Sequence, residues 1–486
     1  MKPSSMKVLL AGTSIVTVAF ISACSSDDDD SISAKQANND LSTFAATDVS
    51  SANVVVESAG AGFIQSAEID AQGTSEQVDQ FNQVIVSLLH TKREYLRDTE
   101  DNHTLLNMLD ASLFATDFSL IYQASDEFTR DELEQYWLEA TGIAAGNVAA
   151  LGNQLNNLEN LYQPTAPSGI YTHSSNLWVQ HDHLFKRSFI DWVYNRSKSI
   201  LINTVDYVSD SLGVSNIVLT ETGIDLVDDA LSTDTRLLQT SHHGIDEAAF
   251  SQESNELVPA YFRNADGKLR QIEAIKLQGN YQQSQQSEGT ITLIPLENTG
   301  LQLALIQPEA SQYDYLLSVL PAMLRQASDL EPTTVIIHVP IVDSRQGATY
   351  LQALLQTNGV SQLFDKKEAD LTNLDRGGQY VSYLKHTHQF TLAPMGLTAD
   401  SNSVVATKIN PENPFFNIDP GSVDTFGVFV TISSHSCVEL EDFYTFDPML
   451  LALVDTVTGA ITFVVELDRM EGETVPTSAC VSFLPS

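Results

Sequence analysis

Three short histidine motifs are the residues best able to do chemistry: His181-Asp182-His183, Ser241-His242-His243-Gly244 and His386-Thr387-His388. Imidazoles so closely spaced are a plausible start for a zinc site. Ser, His and Asp are also plentiful enough to assemble a hydrolase triad. Neither a G-x-S-x-G elbow nor an H-E-x-x-H helix occurs, however, and there is no C-x-x-C for structural zinc or redox work. Scattered polar or core histidines are the better reading. The chain reads as a non-enzyme with no catalytic residue, no cofactor and no metal; a metal-binding role for the histidine pairs is the weakest of three functional classes.

Charge narrows the partners. A formal net charge of −39 over 486 residues repels phosphate backbones and anionic lipid surfaces, and no Lys/Arg cluster offers a heparin-like polyanion a seat. An acidic surface of this kind keeps a protein soluble. With 43% hydrophobic residues the chain can still bury a sizeable core.

The N-terminus stands apart from the rest. Two lysines in Met1–Lys7 precede an apolar run too short to span a bilayer comfortably, and "ISAC" ends at Cys24. This resembles a bacterial lipoprotein signal. The resemblance implies that residues 1–23 are removed, that Cys24 is acylated, and that the lipid is the only membrane contact. It also implies a Gram-negative envelope, with Ser25 favouring the outer membrane. Residues 24–73, rich in Ser, Asp, Ala and Asn, read as a solvated tether. In an oxidising compartment the two remaining cysteines, Cys437 and Cys480, suggest one disulfide, with two free buried thiols as the alternative.

From Thr74 the pattern is globular. "TSEQ" is a capping box opening a helix whose Val78, Phe81, Ile85, Leu88 and Leu89 share a stripe. Further helices are predicted over "LLNMLDASLFATDFSLIYQA", from "TRDE" onward with Leu133, Tyr136, Trp137 and Ala140 inward, over "AGNVAALGNQLNNLENLYQ", and over "FKRSFIDWVYNR". Strands are expected in "SNLWVQ", "SILINTVDY", "TRLLQTS", "GTITLIPL", "LQLALIQ", "TVIIHVPIV", "PMLLALVD" and "AITFVVEL", the last two joined by a Thr-Gly turn. The helix "TYLQALLQTNG" closes on Gly359. No linker divides residues 74–470, so one large mixed α/β (α+β) domain is predicted. Within it, "MGLTADSNSVVATKINPEN" at 395–413 carries nothing large enough to anchor a core, although it lies between two strand-like runs.

The order of these elements resembles the serpin family over about residues 76–470. "STDTRLL", "LQLALIQPE", the run "IIHVPIVDSRQGATYLQALLQTNGVSQLFDKKEADLTNL" and the closing "FYTFDPMLLALVDTVTGAITFVVEL", with Phe443 and Pro448, carry it. The resemblance implies a central mixed sheet, two further sheets and about eight or nine helices. It implies a monomer that inhibits a serine protease: a reactive-centre loop, about 394–436 here, is cut and then inserts into the central sheet as an extra strand. The alternative it leaves is a non-inhibitory surface-binding or structural lipoprotein. Residues 471–486 fall beyond the domain as a tail.

Position by position, Gly396 falls at the family's hinge glycine, with Leu397, Ala399 and Ser401 following it. Strand alternation places Leu397, Ala399, Ser401, Ser403 and Val405 on one face and Asp400 and Asn402 on the other. The bait bond falls in Lys408–Pro411. Lys408 is the only basic residue of the loop and suits a trypsin-like pocket, so Lys408–Ile409 is favoured, with Ile409–Asn410 behind it. The family's shutter positions imply that Asp110, Ser241 and His386 meet beneath the sheet. Four departures are evident. The usual Ala-rich run is "LTADSNSVVAT", the family's breach Trp falls at Ala249, its paired shutter serines fall near Asp110 and Leu113, and the chain between Gly396 and Phe443 is longer than the family norm, with an insertion carrying "FGVFVTISS".

Overall fold

In the computed structural model the described residues are 41–42, 71–98, 107–142, 171–196, 200–226, 230–250, 256–297, 299–309, 312–375, 378–410 and 444–475. Cys24, Cys437, Cys480, the "FGVFVTISS" segment and the helix expected after Gly142 lie outside them.

The long first helix, α1 (Ala71–Asp98), begins three residues inside the stretch read as tether and buries the expected stripe: Val78, Phe81, Ile85, Leu88 and Leu89 are at most 1% exposed. The next segment is not one helix. Asn107–Asp110 is a strand, β1, and the helix α2 (Ala111–Ala124) starts only after it. Asp110 makes the break, because its carboxylate accepts the Leu113 amide at 2.9 Å and caps the new helix. Helix α3 (Glu127–Thr141) turns Leu133, Tyr136 and Trp137 inward and ends on Gly142. Phe81, Phe114, Phe118 and Trp137 form one aromatic cluster with ring centroids 5.3–6.2 Å apart.

The remaining elements, in order, are β2 (Tyr171–Gln180), α4 (Arg187–Arg196), β3 (Ile200–Val205), α5 (Tyr207–Thr222), β4 (Thr235–Ala248), β5 (Glu256–Arg263), β6 (Leu269–Gln285), β7 (Gly289–Pro295), β8 (Leu301–Pro308), α6 (Tyr313–Ser328), β9 (Thr333–Pro340), β10 (Val342–Thr349), α7 (Leu351–Thr357), β11 (Gln379–Ala393), β12 (Gly396–Ile409), β13 (Tyr444–Phe446), β14 (Met449–Asp455) and β15 (Ile461–Leu467). Seven α-helices are thus present among the described residues.

The central sheet has six strands in the order β10-β11-β12-β4-β2-β3, antiparallel except for the β2–β3 pair. The "two further sheets" are continuous, forming one ten-stranded sheet that includes β5, β6, β7, β8, β14, β15 and β1 in sequence along its path. The join is β6, whose first part pairs with β5 and whose last residues, Gln282–Gln285, pair with β7. Its polar run "QGNYQQSQ" gives no apolar alternation across this passage. The chain also stays in this sheet beyond Met470, since Thr474 and Val475 pair with Arg270 and Leu269.

The two large sheets pack face to face. Phe390 of the central sheet stacks on Phe463 of β15 with planes 11° apart, and Leu392, Leu397, Leu451 and Val465 fill the same layer. Helices α1, α2 and α3 close the core at the other end of the central sheet, against Leu177, Leu237, Val381 and Val405. The main core therefore lies on one side of the central sheet, and a smaller cluster around Trp178, Tyr207, Val218 and Leu238 is buried on the other.

Candidate functional site: a strand-receiving groove

The segment that looks unanchored in sequence is the third strand of the central sheet. Strand β12 pairs with β11 from Ala393↔Gly396 to Gln379↔Ile409, and with β4 from Leu397↔Ala248 to Lys408↔Thr235. It is hydrogen-bonded on both edges, so backbone groups that would need water in an exposed loop are satisfied in the sheet.

Its entry is a hairpin with only Pro394 and Met395 between the paired Ala393 and Gly396. Gly396 has φ +146°, and a Cβ there would lie 2.5 Å from the Ala248 carbonyl oxygen. The next nearest neighbours include the Cα of Ala249, the residue at the family's Trp position. Only glycine fits this approach without displacement. Gly396→Ala is expected to weaken insertion by about 1–3 kcal/mol, read as a lower melting temperature of loop-inserted protein.

Side-chain alternation explains the composition. Leu397, Ala399, Ser401, Ser403 and Val405 are buried on the core side, while Asp400 is exposed on the other. Asn402 meets the half-buried His242 at 3.2 Å and donates to the exposed Asp400 carboxylate at 3.2 Å. Farther along, Val404 and Ala406 are buried on the outer side as well, in a cluster with Tyr207, Val214 and Val218 of α5. Helix α5 covers that half of the sheet and leaves the half bearing Asp400 and Asn402 open. The change from "DSN" to "VVA" records where the helix lies.

Beneath the strand sits a buried polar network. Asp117, on α2 seven residues after Asp110, accepts Gln239 Nε2 at 2.7 Å on one oxygen. Its other oxygen contacts His386 Nε2 at 2.8 Å and accepts the Ser403 hydroxyl. Asp110 contacts His243 Nδ1 at 2.6 Å. Ser241 meets Ser175 at 3.0 Å and accepts from Gln239. His388 Nδ1 meets the Ser401 hydroxyl at 2.9 Å, and its Nε2 meets Thr349 Oγ1 at 3.1 Å. Lys92, 2% exposed, donates to that same Thr349 oxygen at 2.6 Å and to the Met108 carbonyl at 2.8 Å.

The expected meeting of Asp110, Ser241 and His386 is therefore corrected: Asp110 pairs with His243, His386 with Asp117, and Ser241 with Ser175 and Gln239. The cause is local. As N-cap, Asp110 is held at the start of α2, whereas Asp117 stands two helical turns further on, beneath His386. Burial opposes ionisation of Asp110, but the His243 ring and the Leu113 amide together hold its carboxyl below the usual range. Burial holds the His388 ring well below its ordinary value, helped by the positive fields of Lys92 and His386.

Sequence reasoning missed Asp117, Gln239, Ser403 as a bonding group and Lys92, and it read His243 and His388 only as scattered polar or core histidines. A signal for most of them was present. Gln239, Ser241 and His243 alternate on one face of β4, as do His386 and His388 on β11 and Ser401 and Ser403 on β12. Two other motif histidines lie apart: His183 contacts Asp375 at 2.7 Å, and His242 faces outward near Asp400. Among the described residues no group of three or more His, Cys, Asp or Glu side chains is arranged to hold a metal ion.

The residues of the favoured bait bond lie at the far end of β12. Lys408 pairs with Tyr380 and Thr235, the Ile409 amide donates to the Asp234 carbonyl at 3.0 Å, and the Asn410 amide to the Gly378 carbonyl at 2.7 Å. In this arrangement the bond is inside the sheet.

This architecture has known counterparts. The fold matches "Cleaved Serpin 42Da" with a TM-score of 0.61 at 15% identity, covering 82% of this chain and 99% of that one. It matches the thermophilic serpin tengpin in the latent state with a TM-score of 0.58 at 14% identity, covering 83% and 99%. Thyroxine-binding globulin complexed with a thyroxine–fluorescein conjugate gives 0.56 at 13% identity, covering 70% and 99%. No curated protein matches the sequence. The family model "Serpin (serine protease inhibitor)" matches residues 112–464, well over half of the chain, and the protein belongs to the serpin family.

Proposed function

We propose that the protein is a suicide-substrate inhibitor of a serine protease of trypsin-like specificity, held at a bacterial outer membrane by acylated Cys24. The observation that carries this reading is β12 itself. A segment whose buried inner face is small or apolar is accommodated as a central strand and paired on both edges.

The chemistry follows from an exposed form of the same segment. The protease serine attacks the Lys408 carbonyl carbon, the Lys408–Ile409 bond breaks, and the released Ile409 amine takes the serine's proton. An ester then joins Lys408 to the enzyme. If the strand enters the sheet before water reaches that ester, the enzyme is dragged across the molecule and trapped. Incubation with a trypsin-like protease should give a covalent complex that survives SDS, and Lys408→Ala should reduce it at least tenfold. Cleavage with no such complex would overturn the reading.

The second reading is a non-inhibitory serpin used as a surface-binding module. Asp400 and Asn402 favour it, since Asp and Asn are poor strand formers and slow insertion lets the ester hydrolyse. An envelope location and a monomeric state belong to both readings. Mass spectrometry of membrane fractions should find Cys24 acylated, and an unmodified Cys24 would remove the anchor from either.

A further inference from the structure

We propose that the groove between β11 and β4 is a strand-binding site with two hydroxyl-specific subsites: Asp117 receives the side chain at position 403 and His388 the side chain at position 401. The ligand is the chain's own loop, selected as an extended segment with small hydroxylated residues two positions apart. This inference rests on the loop-insertion reading above and adds what the groove recognises.

Most of the groove requires only small size or apolarity. Leu397 and Ala399 enter an apolar layer with Phe390 and Leu392, and Val405 enters another with Leu237 and Leu384. Positions 401 and 403 differ, because both serines are fully buried and each hydroxyl meets a side chain already fixed by others. Asp117 is held by Gln239 and His386, and its contact with His386 is on the same oxygen that accepts Ser403. His388 is held from behind by Thr349, which Lys92 in turn fixes. A buried carboxylate or imidazole that lacks one partner is costly, so each receptor favours a hydroxyl over a methyl of the same volume. A serine hydroxyl can donate to Asp117 and can donate to or accept from His388, whichever tautomer the ring adopts. Alanine would fit in both places and satisfy neither.

The departure from an Ala-rich hinge is thereby matched by the groove. "ADSNS" presents Ser401 and Ser403 inward, opposite side chains from α2 and β11 able to bond them.

The test uses the full chain, uncut and cut after Lys408, with melting temperatures recorded for both. Ser403→Ala and Ser401→Ala should each lower the melting temperature of the cut form by about 2–5 °C. Ser403→Thr, which keeps the hydroxyl, should restore at least half of the loss. In an Asp117→Asn background the Ser403→Ala effect should shrink at least twofold, a coupling that general loss of packing would not produce. Serine variants melting like wild type, or an undiminished effect in Asp117→Asn, would overturn the subsites. A cut form that rises in melting temperature with serine-independent stability rejects the subsites alone. A cut form that never rises, and a loop that serine variants never affect, rejects the insertion reading as well.

Discussion

Replacing Ala399 with Glu should abolish covalent trapping while leaving cleavage after Lys408 intact. Ala399 is 5% exposed and faces Phe390, Leu392 and Ile245, with Leu397 beside it on the same face. A carboxylate driven into this layer is an uncompensated buried charge, which costs several kcal/mol even after relaxation. The segment would be excluded from the sheet before its outer residues were affected, because Ala399 lies near the hinge and enters early. Cleavage depends on the exposed loop and should proceed at an unchanged rate. Expected on a gel is a single cut product and no SDS-resistant band, and in calorimetry no gain in melting temperature after cutting. Asp400→Glu is the control. Asp400 points to the open side of the sheet, so trapping should persist there, and equal loss in both variants would show that the inner face is not what matters.

Much of this was legible in the sequence because the relevant period is two. The inward and outward sets of β12 follow from alternation, whereas "PMLLALVD" and "AITFVVEL", which pair from Met449↔Leu467 to Val454↔Ile461, are legible as short continuous apolar runs buried on both faces. Where reading failed, a neighbour out of sequence decided the outcome. "NMLD" looks helical by its apolar content, but it pairs with Phe463–Glu466 of β15 and leaves Asp110 free to cap. Helix α5 has a mixed surface, with Leu212 73% exposed and Val218 buried, and shows no clean stripe. Without it, the apolar outer residues Val404 and Ala406 could not be explained. The polar network was hard to assign for a different reason. Alternation shows which residues face inward, but the choice between Asp110 and Asp117 as partner of His386 depends on where α2 begins, and that is fixed by a cap.

Lys92 should make stability depend on pH in an unusual direction. Its amine is buried against Met108 and Thr349, and burial pushes its pKa down from 10.5 to about 7, against the raising field of Glu466. In the unfolded chain the amine stays protonated up to about 10.5, whereas in the fold it is protonated only below about 7. Between those values the unfolded chain holds more protons, so raising the pH stabilises the fold, by up to about 1.4 kcal/mol per pH unit. Below about 7 both states are charged and the dependence disappears. Buried tyrosines act in the opposite sense only at higher pH. Tyr281, for example, is pushed up by burial to about 12, so its phenol resists ionisation in the fold after the unfolded chain has begun to lose that proton. The contribution of Lys92 is isolated by comparison with Lys92→Met, which keeps the aliphatic volume and removes the titration. The unfolding free energy of wild type minus that of Lys92→Met should grow by several kcal/mol between pH 7 and pH 10 in urea titrations. The same difference should be flat between pH 5 and pH 6. A difference that is constant from pH 7 to pH 10 would mean that the amine keeps its proton in the fold, and that Thr349 is held in front of His388 by an ammonium group.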